Sequence, residues 1–579
     1  MIKLFRYLKN YKKESVIGPL FKLIEACFEL AVPVVMARII DIGIKNEDMG
    51  YIMKMGGVMV LLGFLGLACS LTAQFFAAKA SVGFGTALRT DLLKHINRLS
   101  YAEIDNIGSS TLVTRMTADI NTAQSGVNIL LRLMLRSPFI VIGAIIMAFT
   151  ISVKLTLIFL VIAPCLAFVI YKIISLTIPR YKHIQKTLDR TNLLTGEALS
   201  GARVIRAFSR RDDEEREFRG ITDELTELQI KAGRINALMN PLTYVLVNIA
   251  IAVIIKAGAR HVYNGMISQG EVIALINYMN QILLALLAMA ILVTNITKMQ
   301  ASAIRINDIF AVKPSVTDDG SSEVTADKKA PCIEFRDVCF SYADSEENAL
   351  EGITFSVGRG ETVGIIGGTG SGKSTVINMI PRFYDVTGGQ VLVDGVDVKD
   401  YPFAQLRGKI GIVPQRAVLF KGTVRDNMKC RDSSAGDEEI IKALKLAQAY
   451  DFVMEKPDKL DEMILQEGKN LSGGQRQRLT IARAFVGKPE IVILDDSASA
   501  LDLATDARLR KAIAEQTDGM TVIIVSQRIS SIKNVDKIIV MDDGRVAGIG
   551  THRQLYRECD IYREICLSQL SEKEVREIG

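Results

Sequence analysis

The run Gly367, Gly368, Thr369, Gly370, Ser371, Gly372, Lys373, Ser374 and Thr375 has the spacing G-x-x-x-x-G-K-[ST]. Glycines in this pattern let backbone N–H groups close around phosphates, and a helix N-terminus behind them adds positive potential. A lysine at the seventh position reaches the β- and γ-phosphates, and the following hydroxyl ligates Mg²⁺. The chemistry implied is binding of a nucleoside triphosphate, with Lys373 and Ser374 as the groups that meet the phosphate tail and the metal. The flanks suit that reading. Thr362–Ile366 is a short β-branched apolar run, expected as a buried strand, and Thr375–Ile380 resumes a helical apolar pattern.

Further residues of the same kind follow in order. Tyr342, upstream in FSYAD, offers a ring for adenine. Gln415, in IVPQRAVLF, follows a strand-like run and can bridge Mg²⁺ to a moving segment. LSGGQRQR at Leu471–Arg478 opens a predicted helix, Gln475–Val486, whose glycine-led start is a second anion cradle. Ile491–Asp495 reads as a buried strand ending in an acid placed to hold Mg²⁺ through water, and SALD, Ser499–Asp502, comes next. Thr521–Val525 is another strand, ending at Ser526–Gln527. From Pro331 onward strands and helices alternate, which predicts an α/β domain.

The rest of the chain must position this domain. At 579 residues it is too long for one core. Hydrophobic residues make up 49% of it, and the excess lies in the first 300 or so positions. A spanning helix needs roughly 20 mostly apolar residues. Six stretches qualify, near Gly18–Ile40, Met55–Ala78, Val127–Thr150, Leu155–Leu176, Leu242–Ala259 and Val272–Ile296. Charges interrupt or flank the first and fifth. The fold class expected is therefore an all-α membrane domain of six transmembrane helices with long cytoplasmic extensions, followed by an α/β P-loop ATPase domain.

The gaps Lys79–Gly126 and Thr177–Pro241 are long, polar and basic, and the positive-inside rule places them and the N-terminus in the cytoplasm. An even number of spans returns the C-terminal domain to the same side, where ATP is. Helix-spaced apolar residues run through both gaps, so each is expected to extend membrane helices inward, with Tyr101–Thr114 and Gly201–Ser209 as segments that can dock on the ATP domain. The basic start, MIKLFRYLKNYKKES, reads as a surface helix before an uncleaved first span. Val312–Ala330, with Pro, Gly, Ser and charge and no periodicity, is the expected linker between domains 1–311 and 331–579.

Two carboxylates stand inside the first span. Glu25 and Glu29 lie one turn apart on one face, with Pro33 a further turn on. Each costs about 2.5–3.5 kcal/mol at mid-bilayer, so the pair is expected to face protein or a water-filled cavity. Contact with a cationic substrate and pairing with Lys22 or a basic residue of another helix are both open. Asn248, Asn277, Asn280, Gln281 and Asn295 can line a pathway or join helices. A net charge of +6 gives no case for nucleic acid. The eight cysteines show neither CxxC pairing nor zinc-ligand spacing and read as reduced structural thiols.

LSGGQ between a P-loop and IVILD resembles the ABC exporter family, and six spans, two long cytoplasmic gaps and a C-terminal ATP domain extend the resemblance over the whole chain. It implies a half-transporter in a prokaryotic cell membrane that pairs with a second chain and exports small hydrophobic or amphiphilic compounds, multidrug or lipid-like, from the cytoplasm or inner leaflet. It implies roles for Tyr342 on adenine, for Gln415 and Asp495 with Ser374 at Mg²⁺, for Ser472, Gly473, Gly474 and Gln475 on the partner's γ-phosphate, and for Asp502 in cross-talk between sites. It also implies that the two docking segments contain the coupling helices. No cysteine-peptidase segment precedes the first span, so leader-peptide processing is not expected.

Two positions depart from the family. The residue after the Walker B acid is Asp496, where the family has Glu, and the switch residue is Gln527, where it has His. Asp withdraws the carboxylate by one C–C bond, about 1.5 Å. A misplacement of about 1 Å costs on the order of 100-fold in rate. Gln donates a hydrogen bond but cannot take up a proton as His can. Both changes weaken hydrolysis and neither touches binding. The expectation is a degenerate site that holds ATP and turns it over slowly, in a heterodimer with a non-identical ABC half-transporter whose competent site this chain's signature completes. A homodimeric exporter and an ATP-gated channel or regulatory subunit are the alternatives.

Overall fold

The computed structural model describes residues 2–570 except 319–323, 326, 328, 343–346, 498–500 and 517–518. Ser499 and Ala500 of the SALD run, Ala343 and Asp344 of FSYAD and part of the expected linker lie outside the described residues. The chain divides into two compact units. One comprises Met1–Asn97 and Ser110–Ala311, the other Arg98–Ser109 and Val312–Gly579.

The first unit is helical, as hydrocarbon requires: backbone groups with no water to bond must pair within their own segment. After an amphipathic turn at Ile2–Tyr11, it contains α1 (Lys12–Arg38) and α2 (Met49–Ile96), the latter capped where Asp48 accepts from the Tyr51 N–H at 3.0 Å. The segment Tyr101–Ile107, α3, belongs to the other unit. Then come α4 (Ser109–Thr114), α5 (Ile120–Leu133), α6 (Arg136–Ile151), α7 (Val153–Ser200), α8 (Ala202–Ala207), α9 (Arg211–Ala237), α10 (Met239–Tyr263) and α11 (Gln269–Ala311). Among the described residues five helical stretches are long and apolar enough to cross a membrane: Met49–Ile96, Ser109–Ile151, Val153–Ser200, Arg211–Tyr263 and Gln269–Ala311. The first expected span lies in α1, where Lys22, Glu25 and Glu29 dilute the hydropathy. The third is interrupted at Met134–Leu135, between α5 and α6.

Polar ties join these helices. Asp119, buried, accepts from Arg115 at 2.8 Å and from Arg305 and so fixes α11 to the turn Arg115–Asp119 between α4 and α5. Asp41, past the end of α1, accepts from the Ser268 hydroxyl and, at 2.8 Å, from the Gly270 N–H at the start of α11. Leu4 and Tyr7 of the first turn are buried, Tyr7 edge-on to Phe84 of α2. Asn277 and Asn295 return their amides to carbonyls of their own helix, whereas Gln281 reaches α1.

The second unit is α/β. Its strands are β1 (Ile333–Phe340), β2 (Leu350–Val357), β3 (Thr362–Gly367), β4 (Gly388–Val393), β5 (Val396–Asp397), β6 (Ile410–Val413), β7 (Gly422–Thr423), β8 (Met463–Ile464), β9 (Ile491–Asp495), β10 (Thr521–Val525), β11 (Lys537–Asp542) and β12 (Arg545–Gly550). A six-stranded sheet runs β12-β11-β3-β10-β9-β6, parallel except for β12, beside a four-stranded antiparallel sheet β2-β1-β4-β5. Between the strands lie α12 (Lys373–Met379), α13 (Phe403–Lys409), α14 (Val424–Met428), α15 (Asp437–Leu446), α16 (Tyr450–Met454), α17 (Gly473–Phe485), α18 (Leu503–Gln516), α19 (Ile529–Ile532), α20 (His552–Glu558) and α21 (Asp560–Gln569). Two apolar cores support it. One joins the sheets through Phe335, Ile365 and Ile493, and the other packs α15 and α17 on β9 through Ile440, Leu479 and Val492.

Candidate nucleotide site

In a parallel sheet, ligands are met at the carboxyl ends of the central strands. Here β10 lies between β3 and β9, with Val525 opposite both Ile365 and Asp495. The loops leaving β3, β9 and β10 therefore deliver the P-loop, Asp496 and Gln527 to one place. They line a pocket of about 310 Å³ with Tyr342, Gln415 and Asp495.

The P-loop geometry follows from its glycines. Gly370 and Gly372 have φ of +85° and +91°, conformations that a Cβ would strain. Gly372 leads directly into α12, so Lys373 and Ser374 stand at a helix N-terminus. The Lys373 ammonium is buried, bonded to the carbonyls of Gly367 and Gly368 at 3.1 and 2.5 Å and to the Ser371 hydroxyl at 3.2 Å. Burial pulls its pKa down, against the pull of Asp495 and Asp496. Tyr342 reaches Thr375 hydroxyl to hydroxyl at 3.1 Å, and the residue remains 40% exposed at the pocket.

The Ser374 hydroxyl sits 3.3 and 3.2 Å from the two Asp495 oxygens. A hydroxyl, a carboxylate and Gln415 on one pocket form a hard-oxygen set that suits Mg²⁺, which takes few protein ligands beside phosphate and water. Burial pushes the carboxyls of Asp495 and Asp496 upward. Ser374 and Lys373 oppose this for Asp495, and Arg528 and Lys373 for Asp496. Asp496 itself has φ of +42°, and its N–H donates to the Val525 carbonyl at 3.0 Å. A short Asp tolerates this left-handed backbone better than most side chains.

Ser472, Gly473, Gly474 and Gln475 do not line this pocket. They form the start of α17, exposed at Ser472 and Gly473, as a capping box: the Ser472 hydroxyl accepts from the Gln475 N–H at 3.3 Å, and Gln475 accepts from the Ser472 N–H at 3.0 Å. The helix thus begins two residues earlier than expected, because Ser472 is its cap. Asp502 is also outside the pocket and caps α18, accepting from the Thr505 N–H at 2.9 Å, a bond that lowers its pKa.

The docking segment α3 is packed on this unit. Tyr101 lies 4.5 Å, centroid to centroid, from Phe383, and the Tyr384 hydroxyl donates to Asp105 at 3.0 Å. Tyr384 also stands edge-on to Tyr342 at 5.6 Å, so one aromatic ring separates the docked segment from Tyr342 of the pocket. Burial opposes ionisation of Glu103, but hydrogen bonds from Ser315 and Ser100 outweigh it and lower the pKa. Phe383, Tyr384 and Asp105 were not legible as site residues. An aromatic pair just past a P-loop helix was the available signal. The second docking segment, now α8, belongs to the helical unit.

Residues 15–286 match the ABC transporter transmembrane region, and residues 350–499 match the ABC transporter family. An uncharacterized ABC transporter ATP-binding protein of Bacillus subtilis, YfiB, is 35% identical over 98% of both chains. The chain belongs to the ABC transporter family. Its ATP-binding domain is that of a transport ATPase. A further relative, an uncharacterized ABC transporter ATP-binding protein of Mycobacterium tuberculosis, is 34% identical over 99% of both chains. Among solved structures, a bacterial Atm1-family ABC exporter with ATP bound superposes with a TM-score of 0.80 over 97% of this chain and 99% of that one. At 22% identity the likeness is one of fold.

Proposed function

We propose that this ABC transporter chain is one half of a heterodimeric exporter, and that its own ATP site is degenerate. Domains 1–311 and 331–579, joined by 312–330, serve as membrane and ATP modules, with α1 as the first of six spans and the ATP domain in the cytoplasm. Lys373, Ser374, Gln415 and Asp495 hold Mg·ATP, and Tyr342 stacks on the base. Magnesium bound there neutralises charge on the phosphate tail. Ser472–Gln475 face a partner's γ-phosphate, and Asp502 relays between the two sites.

The observation that carries the reading is the pairing of Asp496 and Gln527 at the γ-phosphate end of an otherwise complete pocket. The shortened carboxylate leaves attacking water poorly oriented, and the amide offers a hydrogen bond without a proton exchange. ATP held here acts as a clamp, and hydrolysis at the partner's site resets the pair. Small hydrophobic or amphiphilic compounds are the proposed cargo. A relative from Bacillus subtilis, 29% identical, is provisionally named a multidrug export ATP-binding/permease protein, which supports that class.

The test is ATP turnover by the purified chain alone and together with the half-transporter encoded beside it. Slow turnover alone and brisk turnover for the pair is the expected outcome. Brisk turnover by the isolated chain, lost on Asp496→Asn, would overturn the degenerate site. A neighbour lacking Glu and His at the two altered positions would overturn the heterodimer.

A further inference from the structure

A second cavity, about 300 Å³, opens between α1 and α2 in the membrane unit. Its polar wall is Glu25, Glu29 and Ser70, and Phe28, Met59 and Leu62 contribute to the apolar remainder. The cations that balance the two carboxylates do not line it. Lys22 donates to Glu25 Oε2 at 2.5 Å and to Ser70 at 3.0 Å, and Arg136 Nη2 reaches the Glu29 oxygens at 2.6 and 2.8 Å. Pairing with Lys22 and with a basic residue of another helix is therefore present, but it is made from behind the wall.

What faces the cavity is acceptor capacity. Glu25 is nine-tenths buried, at 9% exposure, yet no described residue donates to its Oε1. The Glu29 side chain is 39% accessible and keeps lone pairs beyond the two that Arg136 uses. On α2, Gly63 and Gly66 carry no side chain into the space, and a Cβ at either would meet nothing within 4 Å. In a low-dielectric setting, unfilled carboxylate acceptors favour a donor that brings positive charge.

We propose that this cavity binds the cationic head of an amphiphile, a protonated amine, with its apolar body along α2. This rests on the export reading and narrows its cargo class. An ammonium brings three donors to Glu25 and Glu29, and the ring of Phe28 lies on the same wall for a cation–π contact. An anionic head meets two carboxylates and is rejected.

The test titrates dansylcadaverine, a primary amine, and its N-acetylated neutral form against the purified full-length chain in nanodiscs without ATP, read by dansyl fluorescence. The amine is expected to bind about tenfold tighter, a difference of about 1.4 kcal/mol. Glu29→Gln should weaken the amine and spare the neutral form. Arg136→Gln should tighten the amine, because it frees Glu29. Gly66→Leu, which fills the cavity without touching a charge, should weaken both probes. A purely structural ion pair predicts that Glu29→Gln and Arg136→Gln act in the same direction, and that result overturns the proposal. Equal binding of the two probes, or amine binding unchanged in Gly66→Leu, overturns it as well, even where Glu29→Gln does not fold. ATP-driven uptake into inverted vesicles by the chain with its partner separates the two readings. Binding without transport defeats the export reading, whereas transport of the amine indifferent to Glu29→Gln and Gly66→Leu defeats the site.

Discussion

The two ends of the nucleotide pocket are built to different standards. At the P-loop end, Gly372 hands the chain into α12, Lys373 is buried among carbonyls, and Ser374 faces Asp495 across 3.2–3.3 Å. At the other end, which the proposed function assigns to the γ-phosphate, the same sheet presents Asp496 and Gln527 after β9 and β10. Both ends are positioned by adjacent parallel strands, so the backbone does not distinguish them. The difference lies in side-chain reach and proton capacity. Binding needs donors and a metal oxygen set, which are all present. Hydrolysis needs in addition a carboxylate at the correct distance, and the proposed function holds that Asp496, one methylene shorter than Glu, does not supply it.

That contrast can be broken from either end. The largest effect is expected from Lys373→Ala, which removes the charge on the phosphate tail; retention of ATP by the chain, followed by nucleotide binding, should weaken on the order of 100-fold, about 2.7 kcal/mol. If retention is unchanged, the intact end is not what holds ATP. Next comes Ser472→Ala, measured in the complex with the partner. It removes the cap of α17 and the hydroxyl of the exposed signature, and turnover of the pair should fall about tenfold or more, although Ser472 lies outside this chain's own pocket. Unchanged turnover would show that the signature does not act in trans.

A smaller effect is expected at the docked segment. Tyr384→Phe deletes the bond to Asp105 while keeping the ring, at a cost of about 0.5–1.5 kcal/mol. The expected readout is a modest loss of substrate-stimulated ATP turnover with nucleotide affinity nearly intact. Equal losses in both would place Tyr384 in adenine binding instead.

The smallest effect concerns stability. The Asp496 carboxyl is raised by burial above its unfolded value, so the native state holds that proton more tightly than the unfolded state does. Its ionisation at neutral pH is thus a cost to folding. Asp496→Asn should raise the Tm of the nucleotide-free chain by about a few degrees at pH 7. The gain should shrink as pH falls through the raised carboxyl range, where the native Asp496 becomes protonated. A loss of Tm at pH 7 would contradict the assignment.

Much of the site was legible because its motifs are local. The P-loop strand was expected at Thr362–Ile366 and is Thr362–Gly367, since a strand, a glycine loop and a helix follow one another in a single stretch. Contacts between distant segments were not legible. Arg136 inside a predicted span carried the signal of a buried partner, a charge in hydrocarbon, yet nothing in the spacing tied it to Glu29 107 positions away. The break at Met134–Leu135 left no trace in hydropathy, which averages over backbone geometry. The docking segment near Tyr101 was readable from its place within a long polar gap, but nothing in the sequence tied it to Tyr384, 279 positions from Asp105.

The central claim is tested most directly by restoring the missing reach. In the purified chain alone, Asp496→Glu combined with Gln527→His should raise ATP turnover by about tenfold or more while leaving nucleotide affinity unchanged. If the unaltered chain already turns over briskly, and the double substitution leaves that rate where it was, the γ-phosphate end is competent as built and the account is wrong.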